Sequence, residues 1–169
     1  MAQINAAITA SANLFALINA ANTSQTLAAA NVTFGTPAVI TGVDNTSVLV
    51  TAVAGQGYSG TQTVTYNRRG LGDNVASPSF ASTANNESTL ASIKAVLVTQ
   101  LALVASEVTL TGTLTNPGDG NTSTLTLASN AGSLLYIDGS SQVITLTWGD
   151  VPLTEAITTT SLAGFDVAS

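Results

Sequence analysis

Apolar positions along this chain follow two alternating rhythms. From Ile4 to Ala21 they recur at helical spacing, with Ile4, Ile8, Leu14, Phe15, Leu17 and Ile18 separated by small residues, mostly Ala. That pattern predicts a helix running to about Ala21. A second run, Leu90, Ile93, Leu97, Leu101 and Val104, keeps i, i+3, i+7 spacing, and Glu87 near its start suits the positive end of a helix dipole. After each helical run the rhythm changes to alternation. Thr and Val dominate Val32 to Phe34, Ser47 to Val53, Thr61 to Tyr66, Val108 to Leu114, Thr122 to Leu127 and Gln142 to Trp148, the period-2 signature of half-buried strands. Val43-Asp44-Asn45 and Asn116 to Asn121 carry turn-forming residues and predict hairpin connections.

Sliding the chain against itself shows that the two rhythms come twice. At an offset of 76 residues Leu14 falls on Leu90, Leu17 on Ile93, Val32 on Val108, Thr33 on Thr109 and Asn45-Thr46-Ser47 on Asn121-Thr122-Ser123. A further shift of about four residues brings Gln62 to Tyr66 onto Gln142 to Leu146. Internal repetition of this kind predicts stacked or tandem units. The expected fold is therefore α+β, two tandem units that are each a helix followed by a small antiparallel sheet. Their bounds are 1–73 and 87–151. Residues 74–86, rich in Ser, Ala and Asn and containing Pro78, read as a linker, and 152–169 read as a C-terminal arm.

Composition narrows the function. The 169 residues include 27 Thr, 26 Ala and 17 Ser, while only 7% are charged, against roughly 25% in ordinary soluble domains. Such a chain looks built for assembly. It has no His and no Cys, which removes imidazole bases, thiolate nucleophiles, His/Cys zinc sites and disulfides. A net charge of −6 repels a polyphosphate backbone, so nucleic acid is not an expected partner. The first basic residue is Arg68, so no secretory signal is read and synthesis in the cytoplasm is expected. The most apolar stretch, Ile93 to Ala105, is interrupted by Lys94 and Gln100 and is shorter than the roughly 20 residues of a membrane span. No membrane association is expected.

Little here carries chemistry. Asp44, Asp119, Asp138 and Asp150 fall at turns or strand ends without the spacing of a calcium loop or a catalytic pair, and the only lysine, Lys94, lies in a helical run. Serine nucleophiles lack a base. We expect no enzyme, no cofactor and no metal. Arg68 and Arg69, followed by Gly70-Leu71-Gly72, hold two of three basic side chains; a Gly-x-Gly with no phosphate-loop lysine is a weak anion signature. An arginine closing the strand after Tyr66 would instead pair with an acid of the other unit or of a neighbouring subunit. Tyr58, Tyr66, Tyr136 and Trp148 are strand or turn aromatics suited to the core or to subunit contacts. The candidate contact residues are thus Tyr58, Tyr66, Arg68, Arg69, Tyr136, Trp148 and, in the arm, Phe165.

The run Asn45 to Ala52, then Gly57-Tyr58-Ser59-Gly60 and Thr61 to Arg68, preceded by Ile18-Asn19-Ala20, resembles a repeated module of virion structural proteins of large tailed bacteriophages. The second unit is a weaker match, with Tyr136-Ile137-Asp138-Gly139 in place of the Gly-Tyr-x-Gly and Leu146-Thr147-Trp148 in place of Tyr66-Asn67-Arg68. The resemblance carries no catalytic residues. It implies a non-enzymatic virion protein, first of all a capsid decoration or accessory protein. Its partners would be major capsid or tail proteins and copies of itself. Tail, neck or baseplate placement is the nearest alternative, and a host-surface or carbohydrate-binding adhesin using Tyr58, Tyr136 and Trp148 is another.

Overall fold

The computed structural model describes residues 3–24, 26–72, 79–83, 89–114 and 122–149. It is α+β, with two helices and two sheets. Helix α1 spans Ala10–Ala21 and begins where Thr9 caps it, its side chain accepting from the Ala12 amide. The sequence rhythm places the helix start earlier, near Ile4. The reason for the later start is a side-chain clasp: Asn13 Oδ1 accepts from the Asn5 amide at 2.7 Å while its Nδ2 donates to the Asn5 carbonyl at 2.9 Å. Those bonds satisfy the backbone of Asn5 outside a helix, and the same Nδ2 also reaches the Ile8 and Thr9 carbonyls.

The first sheet is centred on β3 (Thr46–Ala52). β1 (Val32–Phe34) and the two-residue β2 (Ala38–Val39) share one edge of β3, and β4 (Thr61–Tyr66) lies on the other, all antiparallel. α1 covers one face, burying Leu14 with Val48 and Tyr66, and Phe15 with Val32 and Val50. The rings of Phe15 and Phe34 are 4.8 Å apart and tilted, a favourable aromatic geometry.

The second sheet runs β5 (Ser79–Thr83), β8 (Ser141–Gly149), β7 (Thr122–Ser129), β6 (Val108–Gly112). It is antiparallel except for β5, which runs parallel to β8. β5 falls in the stretch read as a linker; the rest of that stretch, the expected hairpin connection Asn116 to Asn121 and the expected arm 152–169 lie outside the described residues. A five-residue strand hidden in a Ser/Ala-rich segment has no alternation long enough to announce it. Helix α2 (Leu90–Gln100) opens on a capping box between Thr89 and Ser92. It stops before Val104, short of the expected run, because Ala102 turns left-handed at φ 50°. The Leu103 amide then bonds the Val98 carbonyl and Ala102 the Thr99 carbonyl, the paired bonds of a Schellman stop. A short 3-10 turn, Ala105–Glu107, leads into β6.

The two sheets share one register pattern. Phe34 stands opposite Val50 and Leu110 opposite Leu127; Thr46 stands opposite Tyr66 and Ser123 opposite Leu146. In structural terms Val32 matches Val108, Val48 matches Leu125, and Tyr66 matches Leu146. The ungapped frame that put Asn45-Thr46-Ser47 on Asn121-Thr122-Ser123 therefore needs correction by one residue in the middle strand. Val48 is buried whereas Thr124 is exposed, and a slip of one residue turns every side chain to the opposite face.

Ile93, Leu97, Val108, Leu125, Leu127, Ile144 and Leu146 form the main core, into which Ala10 and Leu71 from the first half also pack. Leu134 touches this cluster and the one under α1. The halves are therefore joined through apolar contact as well as by chain.

Candidate functional site

The most constrained polar structure lies where the end of β4 meets the long connection between β7 and β8. Asn45 prepares it: its Oδ1 accepts from the Arg68 amide and its Nδ2 donates to the Arg68 carbonyl, both at 2.8 Å. One side chain thus replaces the strand partner that Arg68 would otherwise require, and holds the residue as it leaves the sheet.

The Arg68 side chain passes through the junction and is 2% exposed. Its Nε donates to Thr46 Oγ1 at 2.9 Å, and its Nη1 donates to the carbonyls of Ser133 at 2.9 Å and Tyr136 at 3.2 Å and to Asp138 Oδ1 at 3.1 Å. Nη2 makes no hydrogen bond among the described residues. A guanidinium suits this place because it is always charged and offers donors in a fixed plane. Next to it the backbone of Arg69 bridges Tyr136: the Arg69 amide donates to the Leu135 carbonyl and the Ile137 amide to the Arg69 carbonyl.

Both tyrosines of the junction are interior. Tyr66 donates from its hydroxyl to the Leu134 carbonyl at 2.8 Å, and burial pushes its pKa up to about 12, the nearby Arg68 charge offsetting only part of that. Tyr136, 1% exposed, accepts from the Val104 amide through its hydroxyl at 3.1 Å, and burial raises its pKa too. The connection around them is fixed from below by Glu107, whose Oε2 accepts from Ser133 Oγ at 2.6 Å and from the Leu134 amide at 2.9 Å.

Of the expected contact residues, the structure brings Tyr66, Arg68, Arg69 and Tyr136 together. Tyr66, Arg68 and Tyr136 are buried within the chain, at 7%, 2% and 1% exposure. The arginine pairs with an acid of the other half, one of the two partners the sequence offered. Tyr58 is elsewhere, half-buried on the connection from β3 to β4, with its hydroxyl 3.4 Å from the Thr26 carbonyl. Trp148 lies in β8 in register with Ser82, and Phe165 lies outside the described residues.

Sequence reasoning did not single out Asn45, Ser133 or Glu107 for this junction. Asn45 stood in the matched repeat, but its function depends on a residue 23 positions away. Asn19, within Ile18-Asn19-Ala20, clasps a distant backbone in the same way, since it accepts from the Leu27 amide at 2.9 Å and donates to the Leu27 carbonyl at 2.8 Å.

Two hollows flank the first sheet. One, of about 550 Å³, lies between the halves and is lined by Phe15, Phe34, Thr36, Glu107 and Leu134 among others. The other, about 270 Å³, follows β4 under α1. Among the described residues no three His, Cys, Asp or Glu side chains gather as a metal site, and no helix is long and apolar enough to cross a membrane.

No curated protein and no solved structure matches the chain. A family model does match it over residues 4–168, nearly its whole length, so the chain belongs to the family of unknown function DUF7941.

Proposed function

We propose that this protein is a non-enzymatic structural component of a tailed bacteriophage particle, a capsid decoration or accessory protein made of two tandem helix-and-sheet units. The observation that carries the reading is the outer face of the second sheet. Thr109 and Thr111 of β6, Thr122, Thr124, Thr126 and Ala128 of β7, and Ser141, Val143, Thr145 and Thr147 of β8 stand on it in register, with no charged residue. The outer face of the first sheet repeats the theme with Thr33, Ser47, Leu49, Thr51, Thr61, Thr63 and Thr65. β surfaces of short, uncharged side chains lose little rotamer entropy on contact and strip few charges of water, so they favour packing many copies closely.

The shared register of the two sheets supports tandem units, and the Arg68 junction gives the pair a fixed geometry. Partners under this reading are major capsid or tail proteins and copies of the chain itself, with synthesis in the host cytoplasm. The resemblance of Asn45 to Arg68 to a phage virion module supports the particle; the uncharged faces support assembly in general.

Cryo-electron microscopy of purified virions whose genome encodes the chain tests this. Regular copies on the capsid lattice are expected. Density confined to the tail, neck or baseplate moves the protein there, and absence from the particle overturns the proposal. The carbohydrate-adhesin alternative is weakened by the burial of Tyr136, one of the three rings it would use.

A further inference from the structure

Three strands match between the sheets, β1, β3 and β4 against β6, β7 and β8; beyond them the first sheet adds the two-residue β2 beside β3 and the second adds β5. β8 has a second neighbour, β5, running parallel along it with Phe80 beside Leu146 and Ala81 beside Thr147. β4, in the equivalent position, pairs with β3 alone among the described residues. β5 belongs to the stretch that leaves β4, so the segment following the first half completes the sheet of the second.

The unmatched edge of β4 is accompanied by the groove of about 270 Å³. Ile18, Leu27, Val50 and Val64 form its apolar floor, with Asn19 and Gln62 also lining it. A free strand edge supplies unpaired backbone donors and acceptors, and a groove beside it supplies a place for alternate side chains; together these are the requirements of strand addition.

We propose that Ile157–Leu162 of a second copy adds as a parallel strand to the β4 edge. The proposal rests on the reading of the chain as two tandem units and is independent of where the protein sits in a particle. Three arguments select this occupant. The sequence Ile-Thr-Thr-Thr-Ser-Leu is rich in β-branched residues and free of Gly, Pro and charge, as an added strand requires. It follows β8 as β5 follows β4, and the residues between Gly149 and Ile157 reach at most about 25 Å when extended. Finally, the step from β4 to β5 leads onward to the next sheet and does not return to the sheet it leaves. The same step taken from β8 leads out of the chain and onto the first sheet of another copy. Such a head-to-tail contact is heterologous and builds rings or filaments.

The chain has no cysteine, so disulfide trapping reads the contact directly. Full-length Thr63→Cys, altered at an exposed position of β4, is mixed with full-length Thr160→Cys under mild oxidation. Thr109→Cys, exposed on β6, serves as the control against the same partner. We expect the 63/160 mixed dimer to exceed the 109/160 dimer about tenfold, and a chain carrying both 63 and 160 cysteines to give a ladder of multimers. Equal yields, or closure of the double variant within a single chain, overturn the proposal. Hydrogen exchange on the unmodified protein gives a second reading that no substitution can disturb. Amides of Thr61–Tyr66 slow about tenfold as protein concentration rises through the association range; exchange that does not vary with concentration overturns it. Both outcomes are read in solution, so neither depends on finding the protein on a virion.

Discussion

Arg68 Nη1 and Asp138 Oδ1, 70 positions apart in sequence, lie 3.1 Å from one another and form the only ion pair among the described residues. The arginine side chain is fully enclosed, whereas the aspartate side chain is 39% exposed. The two ends of the pair are therefore unequal. Removing the carboxylate leaves a guanidinium buried with only neutral acceptors, so Asp138→Ala should lower unfolding stability by about 3 kcal/mol in a urea titration. Asp138→Asn keeps an oxygen for Nη1 and for the Gly132 amide, which donates to Oδ1 at 3.1 Å, and should cost about 1 kcal/mol. An Asp138→Asn variant as stable as the parent would show that charge contributes nothing at this junction, whereas equal costs for the two variants would assign the whole effect to the charge.

Tyr66 makes stability depend on alkaline pH. Its folded pKa, about 12, lies above the ordinary value of 10.0, so between those values the unfolded chain has lost a proton that the folded chain keeps. The folded state then binds more protons, and stability falls as pH rises through that window. Tyr136, raised in the same direction by burial, adds to the fall. Denaturation midpoints measured from pH 9 to 12 should drop steadily, alongside tyrosinate absorbance appearing with unfolding. Tyr66→Phe should cost about 1 kcal/mol at neutral pH, through loss of the bond to the Leu134 carbonyl, yet flatten the alkaline decline. An unchanged decline in that variant would assign the pH dependence to other groups.

Much of the fold was legible because it rests on local rhythm. Val32–Phe34 and Thr61–Tyr66 form strands over the ranges that alternation predicts, and the other four expected strands differ only at their ends. What stayed hidden depends on partners distant in sequence. β2 is two residues long and exists only because Ser47 and Thr46 lie opposite it; β5 exists beside β8. The repeat was visible, but its frame through the middle strand was not. Thr occupies both faces of these strands, buried at Thr46 and exposed at Thr124, so composition does not mark which face is inward. For the junction, sequence supplied Arg68 and Tyr136 as scarce residue types, while Glu107 and Asn45 act through backbone groups that only folding brings near.

Ala102 is the only non-glycine residue with positive φ among the described residues. It occupies the position after helix α2 that usually belongs to glycine, because a Cβ there crowds the carbonyl that follows. The side chain is exposed, so its removal empties no packed space. Ala102→Gly should therefore raise stability by about 0.5–1 kcal/mol, the relief of local strain exceeding the added freedom of the unfolded chain. A thermal melt measures it directly. A lower melting temperature would mean that the unfolded-state entropy outweighs the strain at this stop.

Gly112 shows the opposite case, where backbone freedom and space both forbid a side chain. It ends β6 at φ 132°, opposite Leu125 in the neighbouring strand. A Cβ at this position would lie 2.9 Å from Leu125 Cδ2, 3.0 Å from the Thr124 carbonyl oxygen and 3.2 Å from Leu125 Cα. The leucine methyl belongs to a side chain with no exposure, and the other two atoms are backbone, so none of the three can withdraw cheaply. Gly112→Ala should cost roughly 2–4 kcal/mol, combining an unfavourable conformation with overpacking. Gly42 provides the comparison: its φ of 144° is similar but open space surrounds it, so Gly42→Ala carries the conformational cost alone. Urea titrations of the two variants separate the terms. If they lose equal stability, the close approach of β6 and β7 contributes nothing, and Gly112 is kept for its backbone conformation only.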